Sequence, residues 1–138
     1  MARLSGKCMC GEVTFSATPE GEAGACHCGM CRKWSGGMFL SVQCSDIEFD
    51  ADEYAAIYQG SPWAERVFCS KCGSSLMWRT QDHQYHHVSI QAFDDPGQFK
   101  IGTQVFIDRK PDNYALTNET KNMTEAEIFA MFAPQGEA

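Results

Sequence analysis

The sequence predicts a mainly β fold tied together by metal, with one short helix at the C-terminal end. Three observations carry that expectation. Apolar residues alternate with polar ones in one segment after another, a helix-capping signature appears only near the C-terminus, and seven of the eight cysteines fall in tight clusters. With 138 residues, 43% of them hydrophobic and 12% aromatic, the chain suits a single domain spanning 1–138 with a modest core.

The strands are read in order from their period of two. Val13, Phe15 and Ala17 alternate with polar neighbours, as do Met38, Leu40, Val42 and Cys44. The segments DIEFDAD, ERVFC, SSLMW, YHHVSIQAF and TQVFI fit the same pattern, while Pro19–Gly24 and Gln81–Gln84 read as polar loops. A brief helical turn is expected at Arg32, Lys33 and Trp34, ended by Gly36-Gly37. The one full helix is expected after Thr124, where Thr124 and Glu127 form a capping box ahead of Ile128, Phe129 and Phe132, with Ala133-Pro134 as the stop.

Charge and hydropathy exclude several classes. The net charge of −7 and the pI near 4.9 have the wrong sign for a surface that collects phosphates, so nucleic acid is not expected as a partner. No apolar run reaches the length of a membrane span, and the N-terminal residues do not resemble a secretory signal. The expectation is a soluble, cytoplasmic protein that does not enter membranes.

The cysteines decide more. They stand as Cys8-x-Cys10, Cys26-x-Cys28-x-x-Cys31, Cys44 alone, and Cys69-x-x-Cys72. Thiols two or three residues apart are poorly spaced for several unstrained disulfides and well spaced to converge on one cation. Cys8 and Cys10 with Cys69 and Cys72 supply the four thiolates of a closed, structural zinc site, and Gly11 and Gly73 after each pair permit a tight turn. The alternative is four reduced cysteines packed as small hydrophobes. Cys26, Cys28 and Cys31 offer only three thiols, and a metal with three protein ligands keeps a position for water or a substrate sulfur. That set is therefore the candidate catalytic centre. The competing reading is a second structural site completed by Cys44, His27, His83, His86 or His87. Arg32 and Lys33 follow Cys31 directly and are the candidate substrate-binding cations, with Arg66 and Arg79 flanking the other cysteine pair. Trp34 and Trp63 could wall a pocket or simply pack.

The order CMCGEVTF, CHCGMCRKWSGG and RVFCSKCGSSL, followed by a strand ending in FDD, resembles the glutathione-dependent formaldehyde-activating enzyme and centromere protein V family over about Lys7 to Phe106. The resemblance implies the Mss4-like fold of small antiparallel sheets, built around a structural zinc on Cys8, Cys10, Cys69 and Cys72. It implies a second, catalytic zinc on Cys26, Cys28 and Cys31, hence two Zn2+ per chain. The implied activity is that of a zinc-dependent carbon-sulfur lyase acting on a thiol adduct such as S-hydroxymethylglutathione, which forms from glutathione and formaldehyde. The partner is then a small-molecule thiol such as glutathione. His27 would serve either as a relay for the alkoxide proton or as a histidine facing solvent or supporting the ligands. Cys44 has no counterpart in the pattern and reads as a buried strand residue. The chain departs from the family near the end, where Gln104 stands in place of a histidine and Tyr114 near the position of a tryptophan. A thiol-binding or protein-interaction module without turnover, and a purely structural double-zinc protein, are the alternatives to the lyase.

Overall fold

The computed structural model describes residues 2–132. Ten strands form one continuous, mainly antiparallel hydrogen-bonded network: β1 (Leu4–Lys7), β2 (Thr14–Pro19), β3 (Ala23–Cys26), β4 (Phe39–Ala51), β5 (Ala55–Tyr58), β6 (Ala64–Cys69), β7 (Ser75–Thr80), β8 (His86–Ser89), β9 (Ile101–Val105) and β10 (Lys121–Met123). The order across the sheet is β10-β9-β3-β4-β8-β7-β6-β5, with the β1–β2 hairpin paired to β4 through β2. The β3–β9 and β9–β10 pairs are parallel. The two helices are α1 (Gly29–Ser35) and α2 (Glu125–Phe132).

The expected mainly β fold with a short C-terminal helix is the fold observed. Val13, Phe15 and Ala17 point inward and are fully buried, as their alternation requires. They meet Val42, Val67, Leu76, Met77 and Val88 in the core, and burying each large aliphatic or aromatic side chain contributes about 1.5–3 kcal/mol. The segments around Val42 and Ile47 are one 13-residue strand rather than two. It bends at Asp46, whose φ is 52°, and passes from pairing with β3 and β8 to pairing with β2. Phe39 and Ser41 are buried as well as Val42 and Cys44, because this part of β4 is covered on both faces and Phe39 packs on Trp34 of α1. That double coverage blurs the period of two.

Two expectations need correction. The Pro19–Gly24 loop is shorter than expected, since β2 runs through Pro19 and β3 begins at Ala23; Gly21, at φ 90°, lets the chain turn and re-enter the sheet. YHHVSIQAF is a strand only from His86 to Ser89 and then a 3-10 turn over Ile90–Ala92. The C-terminal capping box forms: Glu127 N–H donates to Thr124 Oγ1 at 3.2 Å, and Thr124 N–H donates to Glu127 Oε1 at 2.8 Å. Phe129 of α2 packs edge-on against Phe106 at 6.0 Å. The expected stop at Ala133-Pro134 lies outside the described residues.

Candidate functional site

The β1–β2 turn and the β6–β7 turn meet, and each brings two cysteines. The Sγ atoms of Cys8, Cys10, Cys69 and Cys72 all lie within 4.8 Å of one another, with Cys8–Cys10 at 3.6 Å and Cys10–Cys69 at 3.8 Å. A tetrahedron with Zn–S bonds of about 2.3 Å has S···S edges of about 3.8 Å, so the donor set fits zinc without rearrangement. All eight cysteines are free thiols. Gly11 and Gly73 both sit at φ 81°, the left-handed conformation anticipated for the residue after each pair. Backbone N–H groups of Val13 and Cys72 donate to Cys8 and Cys69 Sγ at 3.3 and 3.4 Å. The Ser74 hydroxyl lies 3.2 Å from Cys72 Sγ and leads the effects that hold this thiol down at about 5. Cys8 and Cys69 are buried, so this cluster belongs to the core as much as to the surface.

The second cluster sits where β3 hands over to α1. Cys26 ends the strand, Cys28 caps the helix by accepting the Cys31 N–H on its sulfur at 3.4 Å, and Cys31 lies in the first turn. Their three Sγ atoms also lie within 4.8 Å of one another, and among the described residues no further cysteine, histidine or acidic group joins them. The three thiols share protons unequally. Cys28 is held far below the ordinary thiol range, first by Cys26 and then by Cys31, while Cys26 is pushed up, first by Cys28 and then by Cys31. A thiolate is therefore already favoured within the set, the form a metal binds.

A buried arginine completes this corner. Arg66 on β6 is only 5% exposed. Its neighbour Val67 enters the core, as does Cys69, and Arg66 points to the other side of the strand, onto α1. Its Nη1 and Nη2 both donate to Cys31 Sγ at 3.8 Å, and its guanidinium carbon stands 4.9 Å from the centroid of the Trp34 ring. Cation–π stacking and a charge-assisted N–H···S contact hold it there. The sequence places Arg66 beside the second cysteine pair without fixing the face of the strand on which it lies. The signal that could have placed it is an arginine three residues before a ligand cysteine in a strand with both faces covered.

The other candidates divide. Arg32 donates from Nε to the His27 carbonyl at 2.9 Å, which anchors the cysteine loop. Lys33 is exposed and lines a cleft of about 880 Å3 with Lys7, Trp34, Phe39, Leu76 and Phe93. The three thiols do not line this cleft; Trp34 stands in its wall and carries Arg66. Arg79 is taken up by a half-buried ion pair with Glu65 at 2.7 Å, and Trp63 packs edge-on against Trp78 with ring centroids 5.5 Å apart. Cys44 is a buried strand residue, as expected, and burial pushes its thiol up to about 12.

His27 is 0% exposed and does not face solvent. Its N–H donates to the Val105 carbonyl, which extends the β3–β9 pairing by one residue and puts its ring on the Ala23–Ala25 side, opposite Cys26. There Nε2 meets Gln104 Oε1 at 2.7 Å. Gln104 Nε2 donates to Thr120 Oγ1 at 2.8 Å, and the Thr120 hydroxyl donates to Asn122 Oδ1 at 2.6 Å. This direction of donation leaves Gln104 Oε1 as an acceptor and assigns His27 the Nε2–H tautomer. The glutamine that replaces the expected histidine is thus engaged with His27 and Thr120. Tyr114 lies 6.3 Å from the His27 ring.

A model of the glutathione-dependent formaldehyde-activating enzymes matches residues 3–109. The chain belongs to that family. It is 30% identical over 131 residues to a protein of Schizosaccharomyces pombe named "uncharacterized lyase", covering 93% of this chain and 96% of the relative. It is 36% identical over 85 residues to a "putative glutathione-dependent formaldehyde-activating enzyme" of Halomonas elongata, covering 53% and 54% of the two chains. The crystal structure of a Rhodobacter sphaeroides protein shares the fold with a TM-score of 0.58 at 21% identity, over 66% of this chain and 88% of that one. Within this family the two clusters are each able to hold a metal ion, one with four thiols and one with three. No helix among the described residues is long and apolar enough to cross a membrane.

Proposed function

We propose that this protein is a zinc-dependent carbon-sulfur lyase that equilibrates S-hydroxymethylglutathione with glutathione and formaldehyde, acting in the cytoplasm. The observation that carries the reading is the contrast between the clusters: four thiols close one set, and three thiols beside a buried cation form the other. Cys8, Cys10, Cys69 and Cys72 would hold a structural Zn2+. Cys26, Cys28 and Cys31 would hold a catalytic one. When bound there, zinc stabilises a sulfur as thiolate near neutral pH.

The chain's own residues supply the rest. In the lyase direction the C–S bond breaks, its electron pair leaves with the glutathione sulfur, and the hydroxyl proton passes to solvent water as its oxygen becomes the formaldehyde carbonyl. Arg66 brings positive charge to the side of Cys31 where sulfur charge accumulates. Arg32 fixes the loop that presents Cys28 and Cys31 by holding the His27 carbonyl, so its part is orientation. Lys33, with Lys7 in the cleft behind Trp34, suits the two carboxylates of glutathione. The burial of His27 on the opposite side of β3 argues against a direct role at the reacting oxygen.

Two measurements together test the reading. Native mass spectrometry should give two zinc ions per chain, and exchange spectroscopy should show faster interconversion of S-hydroxymethylglutathione with its components than in buffer. Thiol binding at full zinc content with no acceleration would sink the lyase and leave a binding module.

A further inference from the structure

We propose that Arg66 is a positioning residue that makes the three-cysteine centre select an anion as its fourth ligand. This rests on the reading of Cys26, Cys28 and Cys31 as a metal centre, and it assigns the preference to a residue outside the ligand set.

The argument begins with burial. A guanidinium never loses its charge in a protein, and burying it without an anionic partner costs several kcal/mol. Arg66 is 5% exposed, and among the described residues it makes no ion pair with a carboxylate. Its partners are the Trp34 ring and the Cys31 sulfur. Only sulfur can carry the compensating charge, so the site is built for thiolate. Three thiolates and one divalent cation sum to −1, and Arg66 brings the total to zero. A neutral corner accepts an anion at much lower cost than one already negative, because a second unit of uncompensated charge need not be buried. The four-thiol cluster has no comparable device. Cys10 and Cys72 meet solvent and backbone or hydroxyl donors, and its nearby lysine, Lys71, is drawn to Glu12 at 3.0 Å.

Position also favours selectivity. Arg66 is pinned between the indole and the sulfur, with Trp34 one helical turn beyond Cys31. It need not reorganise when a ligand arrives. Its two N–H···S contacts draw electron density from Cys31, which weakens that thiolate as a donor and strengthens demand for a good fourth one.

The test loads protein with Co2+ and titrates thiocyanate as the anion and imidazole as the neutral donor, following the visible spectrum. Wild type, Arg66→Met, Arg66→Gln and Arg66→Lys are compared. Loss of the charge should weaken thiocyanate by about tenfold relative to imidazole. It should also move the sulfur-to-cobalt charge-transfer band to lower energy, while Arg66→Lys stays nearer wild type in the ratio. Should Arg66→Met fail to fold, Arg66→Gln keeps an N–H donor without the charge and carries the comparison. An unchanged thiocyanate-to-imidazole ratio in the neutral variants would overturn the proposal, as would a lysine variant indistinguishable from them. The lyase reading is judged separately: a wild type with the anion preference and no turnover retires the lyase and keeps Arg66, whereas turnover with an unaltered ratio in Arg66→Gln does the reverse.

Discussion

Replacing Cys28 and replacing Cys69 should have unequal consequences, and serine is the informative substitute. At Cys28 the sulfur caps α1 by accepting the Cys31 N–H at 3.4 Å. Serine is among the best caps, so Cys28→Ser keeps the helix start while removing a thiolate. What remains is the loss of one half-buried donor at the edge of the fold, a cost of at most about 2 kcal/mol. For a chain of this size that is a fall in Tm of at most about 8 °C. Cys69 is different. Its side chain is fully buried, its sulfur faces Cys10 at 3.8 Å, and it joins the β6–β7 turn to the β1–β2 turn. Structural zinc sites are worth about 10–16 kcal/mol in peptides, against net domain stabilities of about 5–15 kcal/mol. Cys69→Ser should therefore abolish cooperative folding at 37 °C. Circular dichroism melts with native mass spectrometry read both: Cys28→Ser folded with one zinc and no lyase activity, Cys69→Ser unfolded or aggregated. A titrated chelator should likewise strip one zinc from wild type before any loss of structure. Equal destabilisation by the two substitutions, or release of both metals in one step with unfolding, would refute the division into a structural and an open centre.

Further consequences concern the surrounding fold. A Cβ added at Gly6 would stand 2.5 Å from Cζ of Phe15, a ring held on other sides by Phe49 and Phe93; Gly6→Ala should cost about 1–3 kcal/mol, read as a lower Tm with zinc content unchanged. Gln104→Leu removes the acceptor from a buried His27 N–H and should cost about 1–3 kcal/mol, whereas equal stability in a denaturant melt would mean the bond is idle. His86 is held down at about 4 by burial and then by Arg79, so the unfolded chain takes up a proton that the fold refuses between about pH 6.5 and 4. Stability from this group is complete above pH 6.5 and declines as pH falls toward 4, and His86→Gln should have a flatter melting profile across that window than wild type.

Much of this architecture is legible in the sequence because the relevant signals are local. Alternation located β2, β6 and β7, and the Thr124–Glu127 pair located α2. Cysteine spacing found both clusters, since a turn with two thiols has few ways to arrange them. What escaped is non-local or too short to carry a period. Strands β1, β3, β5 and β10 have three or four residues each and gain their pairing from neighbours. The strand β3 is built of alanine and glycine before Cys26, a composition with little intrinsic preference for a sheet. Arg66 escaped for another reason: which face of β6 meets α1 is decided by tertiary packing, and its place beside a cysteine pair in sequence does not fix that face.

The pleat of two strands explains how the corner is organised. At the end of β3, Cys26 and the following His27 are adjacent in sequence yet look to opposite faces, so the Cys26 thiol enters the three-cysteine cluster while the imidazole enters the Gln104–Thr120 network. A change at position 104 therefore acts on the packing behind β3 and not on the thiols directly, and a glutamine there is compatible with the lyase reading. In β6 the same alternation sends Arg66 to Cys31 and leaves Cys69 in the other cluster. The turn that follows reaches both sites as well. Ser74 meets Cys72 Sγ and accepts the Met9 N–H at 3.0 Å, while the next residue, Ser75, donates to the Trp34 carbonyl at 3.0 Å. The four-thiol cluster thus holds the strand and turn on which Arg66 and α1 rest, whereas nothing in the first cluster depends on Cys28. Damage should pass from the closed centre to the open one and not back: Cys72→Ser should lose the anion preference assigned to Arg66 together with the structure of the β6–β7 turn, whereas Cys28→Ser should leave the four-thiol cluster loaded with metal.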